Sequence, residues 1–215
     1  MGNENENQKK INLGFKGELI SQGAEAKLYK KDNYVYKERV PKAYRHEIID
    51  NRLRSSRTKR ELKVLQKLKD LNVPVPSAEQ ENDFVIKMEF IEGERLRDRL
   101  LAKPEETKKQ LIVLGGYIAK MHDKGIIHGD LTTSNVLITL RDELKVIDFG
   151  LSFFSDKLED KAVDIHLFKQ AIESTHYQHT EEFYEEFLKG YKESEEAEPV
   201  LKRLEEVEKR GRNKH

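Results

Sequence analysis

Three polar residues near the middle of the chain have types and spacing suited to one reaction. Asp130 lies in Ile127-His128-Gly129-Asp130-Leu131-Thr132-Thr133-Ser134-Asn135; Asn135 follows five residues on, and Asp148 comes thirteen later in Lys145-Val146-Ile147-Asp148-Phe149-Gly150. Asp130 can accept the proton of an attacking hydroxyl or water. Asn135 and Asp148 offer oxygen atoms, the ligands magnesium prefers. In phosphoryl transfer the protein does little covalent chemistry, so positioning and charge neutralisation carry the step. The spacing therefore predicts a phosphoryl-transfer site, with Asp130 catalytic and Asn135 and Asp148 as metal ligands.

Other residues fit the same chemistry. Lys37 ends the apolar run Tyr34-Val35-Tyr36-Lys37, where its amine could reach phosphate oxygens. Glu61 lies on a predicted helix after that strand and could hold Lys37, or could be a solvated helix glutamate. Gly23 sits at a turn in Gln22-Gly23-Ala24-Glu25-Ala26. A glycine there lets backbone N–H groups approach phosphates, although a plain hairpin turn explains it as well. The segment Glu89 to Gly93, including Ile91, is placed to be the connection whose backbone meets an adenine base, so ATP is the expected cofactor beside magnesium. His128 either braces its loop or is a satisfied core histidine. His176 and His179 have no third ligand nearby, so no metal site is expected there.

These residues need elements to hold them. Leu13 to Arg39 reads as three antiparallel strands with turns at Gly23 and at Lys31-Asp32-Asn33. Ile48 to Leu71 reads as a helix with Leu62, Leu65, Leu68 and Leu71 on one stripe, ended before Pro74. Phe84 to Ile91 reads as a buried strand broken by Glu92-Gly93. Glu105 to Asp123 reads as a helix with Leu111, Leu114, Ile118 and Met121 on one face, and Gly125 ends it. Val136–Thr139 and Leu144–Ile147 are strands around a turn at Arg141-Asp142. Helices follow at about 158–174, 181–192 and 196–209. The expected class is α+β: a polar lead-in over 1–12, a strand-rich part with one main helix over 13–92, a mostly helical part over 93–208, and a basic tail over 209–215. The motif loop then faces a cleft between the two parts.

The chain has 215 residues, with 40 basic and 40 acidic side chains, so net charge favours no nucleic-acid partner and any such contact must be local. It has no cysteine, which removes disulfides, thiolate metal sites and cysteine nucleophiles. No apolar run approaches the ~20 residues of a membrane helix, and the first ten residues lack an apolar signal core. A cytoplasmic protein is expected, also nuclear in a eukaryote.

The chain resembles the small atypical kinase/ATPase subunit of the KEOPS (EKC) complex, near the RIO kinases. The resemblance rests on Gln-Gly-Ala-Glu-Ala at 22–26, Arg57-Thr58-Lys59-Arg60-Glu61, His128 to Asn135, Ile147 to Ser152, Glu159 to Asp164 and Arg-Gly-Arg at 210–212. It implies a bilobal protein-kinase-like fold whose C-lobe is reduced and lacks a long activation segment. It implies Asp130 as catalytic aspartate, Asn135 and Asp148 as magnesium ligands, Lys37 as phosphate lysine and Glu61 as its partner. It also implies service to threonylcarbamoyl modification of the tRNA adenosine beside the anticodon. The partners implied are a transferase subunit and a small regulatory subunit that binds the N-lobe. ATP hydrolysis and serine/threonine phosphorylation are the activities implied.

Only sixteen residues separate Asp148 from Asp164, and no Ala-Pro-Glu follows, so the usual platform for a peptide substrate is missing. One departure from the family pattern is Tyr44-Arg45-His46-Glu47, where a proline is common in place of Glu47. The basic run Arg52, Arg54, Arg57, Lys59 and Arg60 and the tail from Lys209 could meet tRNA phosphates, or could be a solvated face and a solubilising tail. Two other classes compete. A small-molecule kinase of the aminoglycoside type would need more helical chain after Gly150 for its acceptor pocket. A pseudokinase scaffold would not need every catalytic position filled.

Overall fold

The computed structural model describes residues 17–212, with side chains up to Arg210. The lead-in expected over 1–12 and the end of the expected tail lie outside them. Strands β1 (Glu18–Gln22), β2 (Ala26–Lys31) and β3 (Tyr34–Arg39) form the expected antiparallel meander. Asp32 makes the second turn at φ +53°, a conformation Asp adopts more readily than most residues. Side chains alternate along β3, so Val35, Lys37 and Arg39 all point inward and are buried. Two cations thus share the inner face of one strand.

Helix α1 (Glu47–Asp70) follows, then β4 (Ala78–Asn82) and β5 (Val85–Glu89). The sheet order is β1-β2-β3-β5-β4. The buried face of α1 carries Thr58, Glu61, Val64, Leu65 and Leu68, the spacing of one helical stripe. Leu62 and Leu71, expected on that stripe, are only half-buried. Glu61 therefore faces the same interior as Lys37. Strand β4 was not expected: its Ala-Glu-Gln-Glu-Asn is polar because it is an exposed edge, paired only with β5.

The second part begins with β6 (Gly93–Arg95), α2 (Leu96–Ala102), α3 (Pro104–Thr107), α4 (Lys109–His122) and β7 (Ile126–Ile127). Next come β8 (Val136–Thr139), β9 (Leu144–Val146) and β10 (Phe153–Phe154). Helices α5 (Leu158–Thr175), α6 (Thr180–Tyr191) and α7 (Ala197–Arg212) complete it. Strands β6, β8 and β9 form one small sheet, and β7 pairs with β10. The helix expected over Glu105–Asp123 is interrupted at Lys108. Its core face is as expected, with Leu111, Leu114, Ile118 and Met121 fully buried. It packs on α6 with backbones nearly touching, because Gly115 and Gly190 have no side chains: a Cβ on Gly190 would lie 1.8 Å from the Ile112 carbonyl oxygen.

The expected free tail needs correction at its start. Lys209 and Arg210 continue α7, and Arg210 pairs with Glu159 of α5 at 3.0 Å and with Glu206 one turn back at 3.8 Å. Helical spacing of opposite charges keeps the last turns wound. Among the described residues no helix is long and apolar enough to cross a membrane.

Candidate active site

The loop between β7 and β8 carries Asp130 and is hung from two helices. The Asp164 carboxylate of α5 accepts the backbone N–H groups of His128 and Gly129, each at 2.9 Å, and lies 3.2 Å from His122 Nε2 of α4. His122 in turn meets Tyr191 of α6 at 2.9 Å. Burial alone would raise the Asp164 pKa, but its contacts with His122 and His128 outweigh that and hold it below the usual carboxylate value. Gly129 takes φ +79° and passes so close to Leu151 that a Cβ would sit 2.5 Å from its carbonyl oxygen.

His128 is fully buried and braces the loop. Its Nδ1 accepts the Asp130 N–H at 3.3 Å and its Nε2 donates to the Ile147 carbonyl at 3.1 Å, which assigns the ring proton to Nε2. The loop of Asp130 is thereby tied to the residue before Asp148. Asn135 Nδ2 donates to the Asp130 carbonyl at 2.9 Å and to its carboxylate Oδ2 at 3.0 Å. With its nitrogen so used, the Asn135 amide oxygen is the atom left to face a cation.

Asp148 adopts φ +61°, a left-handed conformation uncommon for a residue with a side chain. Its Oδ1 accepts Lys37 Nζ at 2.8 Å, and its side chain keeps 52% of its exposure. Lys37 Nζ also donates to Glu61 Oε1 at 2.7 Å, and the second Glu61 oxygen accepts Arg39 Nη2 at 2.5 Å. Burial works against the Lys37 charge, but the Glu61 and Asp148 carboxylates outweigh it and hold the ammonium above the ordinary lysine value. Burial likewise opposes the Asp148 charge, and Lys37 outweighs it, so that carboxyl lies below its ordinary value.

Lys37, Glu61 and Asp148 are thus in direct contact, as are Asp130 and Asn135. The Gln22–Ala26 turn stands one strand away: Leu28 of β2 pairs with Lys37, and Ala26 with Arg39. Gly23 N–H donates to the Ala26 carbonyl at 2.9 Å and closes the turn. Glu89 meets Lys145 of β9 at 3.2 Å rather than Lys37, and its N–H donates to the Ser77 carbonyl at 2.8 Å. Ile91 lies half-buried where the chain crosses from one part to the other. His176 and His179 both pack on the Phe183 ring, at 5.6 and 5.2 Å. Burial, with His179 and Arg97 nearby, holds His176 below the ordinary histidine value.

Among the described residues no three His, Cys, Asp or Glu side chains are grouped to hold a metal alone. Magnesium commonly takes one or two carboxylates and completes its shell with water and substrate phosphates. Asn135 and Asp148 fit such a half-shell. Sequence reasoning missed Arg39, named Asp164 only within the family motif Glu159 to Asp164, and read Arg57 as a motif residue and a possible tRNA phosphate contact, whereas it pairs with Glu25 of the Gln22–Ala26 turn. Arg39 was readable in principle, since it lies two residues past Lys37 on the same strand face. Asp164 and Arg57 act over long separations that no local spacing reveals.

A RIO domain matches residues 20–157. The chain is 42% identical over 210 residues to the KEOPS complex subunit Bud32 of Pyrococcus abyssi, covering 90% of this chain and 95% of that protein. It is 40% identical over 202 residues to a probable bifunctional tRNA threonylcarbamoyladenosine biosynthesis protein of Methanosarcina mazei, covering 91% of this chain but 36% of that longer protein. Among solved structures, the Rio2 kinase of Chaetomium thermophilum, in an ADP/Mg2+-phosphoaspartate complex, superposes with a TM-score of 0.58 over 91% of this chain and 70% of that one, at 16% identity. That likeness establishes the kinase-like fold. The chain belongs to the RIO-domain family, in its Bud32 branch.

Proposed function

We propose that the chain is a magnesium-dependent ATPase and atypical serine/threonine kinase that acts as a KEOPS/EKC subunit in tRNA threonylcarbamoyladenosine formation. The observation that carries this reading is the convergence of Lys37, Glu61 and Asp148, together with the Asp130–Asn135 pair that His128 ties to the residue before Asp148. The similarity to a KEOPS complex subunit and to a tRNA threonylcarbamoyladenosine biosynthesis protein favours it over a small-molecule kinase. The donor set supports ATP and magnesium as the ligands, and the ADP and magnesium of the Rio2 neighbour are consistent with that choice.

In this reading Lys37 holds phosphate oxygens, and Glu61 keeps its ammonium charged and aimed. Asn135 Oδ1 and the Asp148 carboxylate hold magnesium, whose charge would offset that developing on the phosphates. Asp130 receives the proton of the attacking hydroxyl. Its Oδ2 is occupied by Asn135, which leaves Oδ1 for that proton. The backbone of Glu89 and Ile91 meets the adenine, and the Gln22–Ala26 turn covers the phosphates. The short span from Asp148 to α5, taken up by β10, leaves no broad peptide platform. Water, or a serine of the chain itself, is therefore the favoured acceptor. The transferase subunit and a small regulatory subunit are the proposed partners, and tRNA contact is proposed through the residues following α7.

The test is phosphate release from magnesium-ATP, with and without the transferase subunit and tRNA, using Asp130→Ala as control. Release that rises with both and vanishes in the variant is expected. Autophosphorylation indifferent to both would point to a free-standing kinase, and full complex function in Asp130→Ala would exclude an enzymatic role.

A further inference from the structure

Helix α1 holds more than the lysine partner. Arg57 lies four residues before Glu61, one turn away on the neighbouring part of the same face. Its Nη1 donates to the carboxylate of Glu25, inside the turn between β1 and β2. The side chains of Arg57 and Glu25 keep 32% and 41% of their exposure, so this pair is reached by solvent rather than sealed in the core. Two further contacts pull the same turn inward: Lys42 Nζ donates to the Ala24 carbonyl, and Val40 N–H donates to the Glu25 carbonyl at 3.4 Å. The turn has no bulk of its own to hold it down, because the space beside Gly23 is open: a Cβ there would meet only the Ala26 carbonyl oxygen, at 3.8 Å.

Glu61 and Arg57 therefore make α1 a shared anchor. One turn of it aims Lys37; the next holds the covering turn. We infer that Glu25 and Arg57 form a latch that holds the Gln22–Ala26 turn onto α1, the helix that also carries Glu61. Arg57 and Glu25 are positioning residues: they set how firmly the turn covers a bound nucleotide. The pair also fixes the Glu25 carboxylate against a cation, so that its charge is neutralised beside a site meant for phosphates. The inference about nucleotide rests on the phosphoryl-transfer reading; the inference about the turn does not.

The test separates these two. Amide exchange is measured on the nucleotide-free chain for Glu25→Gln, Arg57→Gln and the charge-swapped double variant Glu25→Arg/Arg57→Glu, reading the Gly23 and Val40 amides. A part-exposed ion pair predicts exchange at these amides about two- to five-fold faster in each single variant. The swapped pair should recover most of that protection, since it restores the attraction with reversed polarity. The KM for magnesium-ATP should rise with exchange in the single variants by more than kcat falls, and should recover in the swap. Unchanged exchange in both single variants, or no recovery in the swap, overturns the latch. Faster exchange with recovery, but no change in any nucleotide measurement, keeps the latch on the turn and removes its link to phosphate cover; if wild-type chain also fails to bind magnesium-ATP, it is the phosphoryl-transfer reading that falls.

Discussion

Removing the Glu61 carboxylate should cost far more than removing an ordinary helix glutamate. Glu61 is 2% exposed and accepts two buried cations, Lys37 at 2.7 Å and Arg39 at 2.5 Å. In Glu61→Ala, Lys37 still has Asp148 at 2.8 Å. Arg39 is worse placed: it is 3% exposed, and its Nε is already buried without a hydrogen-bond partner. The variant thus strands close to one full buried charge, a loss of about 3–5 kcal/mol. For a domain of this size that corresponds to a fall in Tm of about 6–20 °C. The assay is urea unfolding followed by circular dichroism, with the m-value checked for constancy. Adding Arg39→Met should recover a large part of the loss, because the stranded charge is then gone, and a double-mutant cycle isolates the coupling. A loss under about 1 kcal/mol, or no recovery with Arg39→Met, would refute the claim that Glu61 neutralises both cations.

Three other outcomes follow from particular contacts. In Gly190→Ala the new Cβ would lie 1.8 Å from the Ile112 carbonyl oxygen, so stability should fall by about 3 kcal/mol or more, whereas Gly116→Ala meets only the flexible Glu193 carboxylate at 3.3 Å and should be near neutral. Asp164→Ala leaves the N–H donors of His128, Gly129 and His122 without their acceptor, and unfolding in urea should show a loss of about 3 kcal/mol or more, with turnover falling alongside. Asp148 and Asp164 both lie below the ordinary value of 3.8, so their contribution is present above that pH and is lost as pH falls through their lower folded values. Lys37 lies above 10.5, so its contribution is full below that pH and is lost as pH rises through its higher folded value. Urea midpoints should therefore hold through neutral pH, and Asp148→Asn should show a shallower acid limb than the parent; an identical limb would contradict the ion pair.

The residues of the motif loop were readable because their relations are local. Asp130 and Asn135 lie in the loop before β8, and Asp148 comes two residues after β9, the strand that pairs with β8, so sequence spacing is close to spatial spacing. The longer strands were legible through alternation or apolar runs and the longer helices through apolar stripes, since most of them bury one face, whereas β6, β7 and β10, two or three residues each, are too short to carry a pattern. Strand β4 was not legible, because an edge strand with its sides in water carries no alternation to read. The α1 stripe was half legible: Leu65 and Leu68 are buried as expected, but apolar Leu62 was read as core, whereas the buried face there is taken by Glu61, a charged residue whose inward direction is decided by cations on another strand. Arg39 and Asp164 were hidden for the same reason. Each is a buried charge satisfied across a long separation, and such pairing becomes visible only when the chain is folded. The start of the tail was misjudged because its basic composition resembles a solvated end, while Lys209 and Arg210 continue α7 and Arg210 meets Glu159 of α5.

The central claim is that these residues hold magnesium-ATP for phosphoryl transfer. Crystals grown with magnesium and a non-hydrolysable ATP analogue test it most directly. The account predicts the metal on Asn135 Oδ1 and the Asp148 carboxylate, phosphate oxygens on Lys37 Nζ, adenine against the backbone of Glu89 and Ile91, and Asp130 facing the terminal phosphate. A nucleotide bound elsewhere, or bound here with no metal on Asp148, would contradict it.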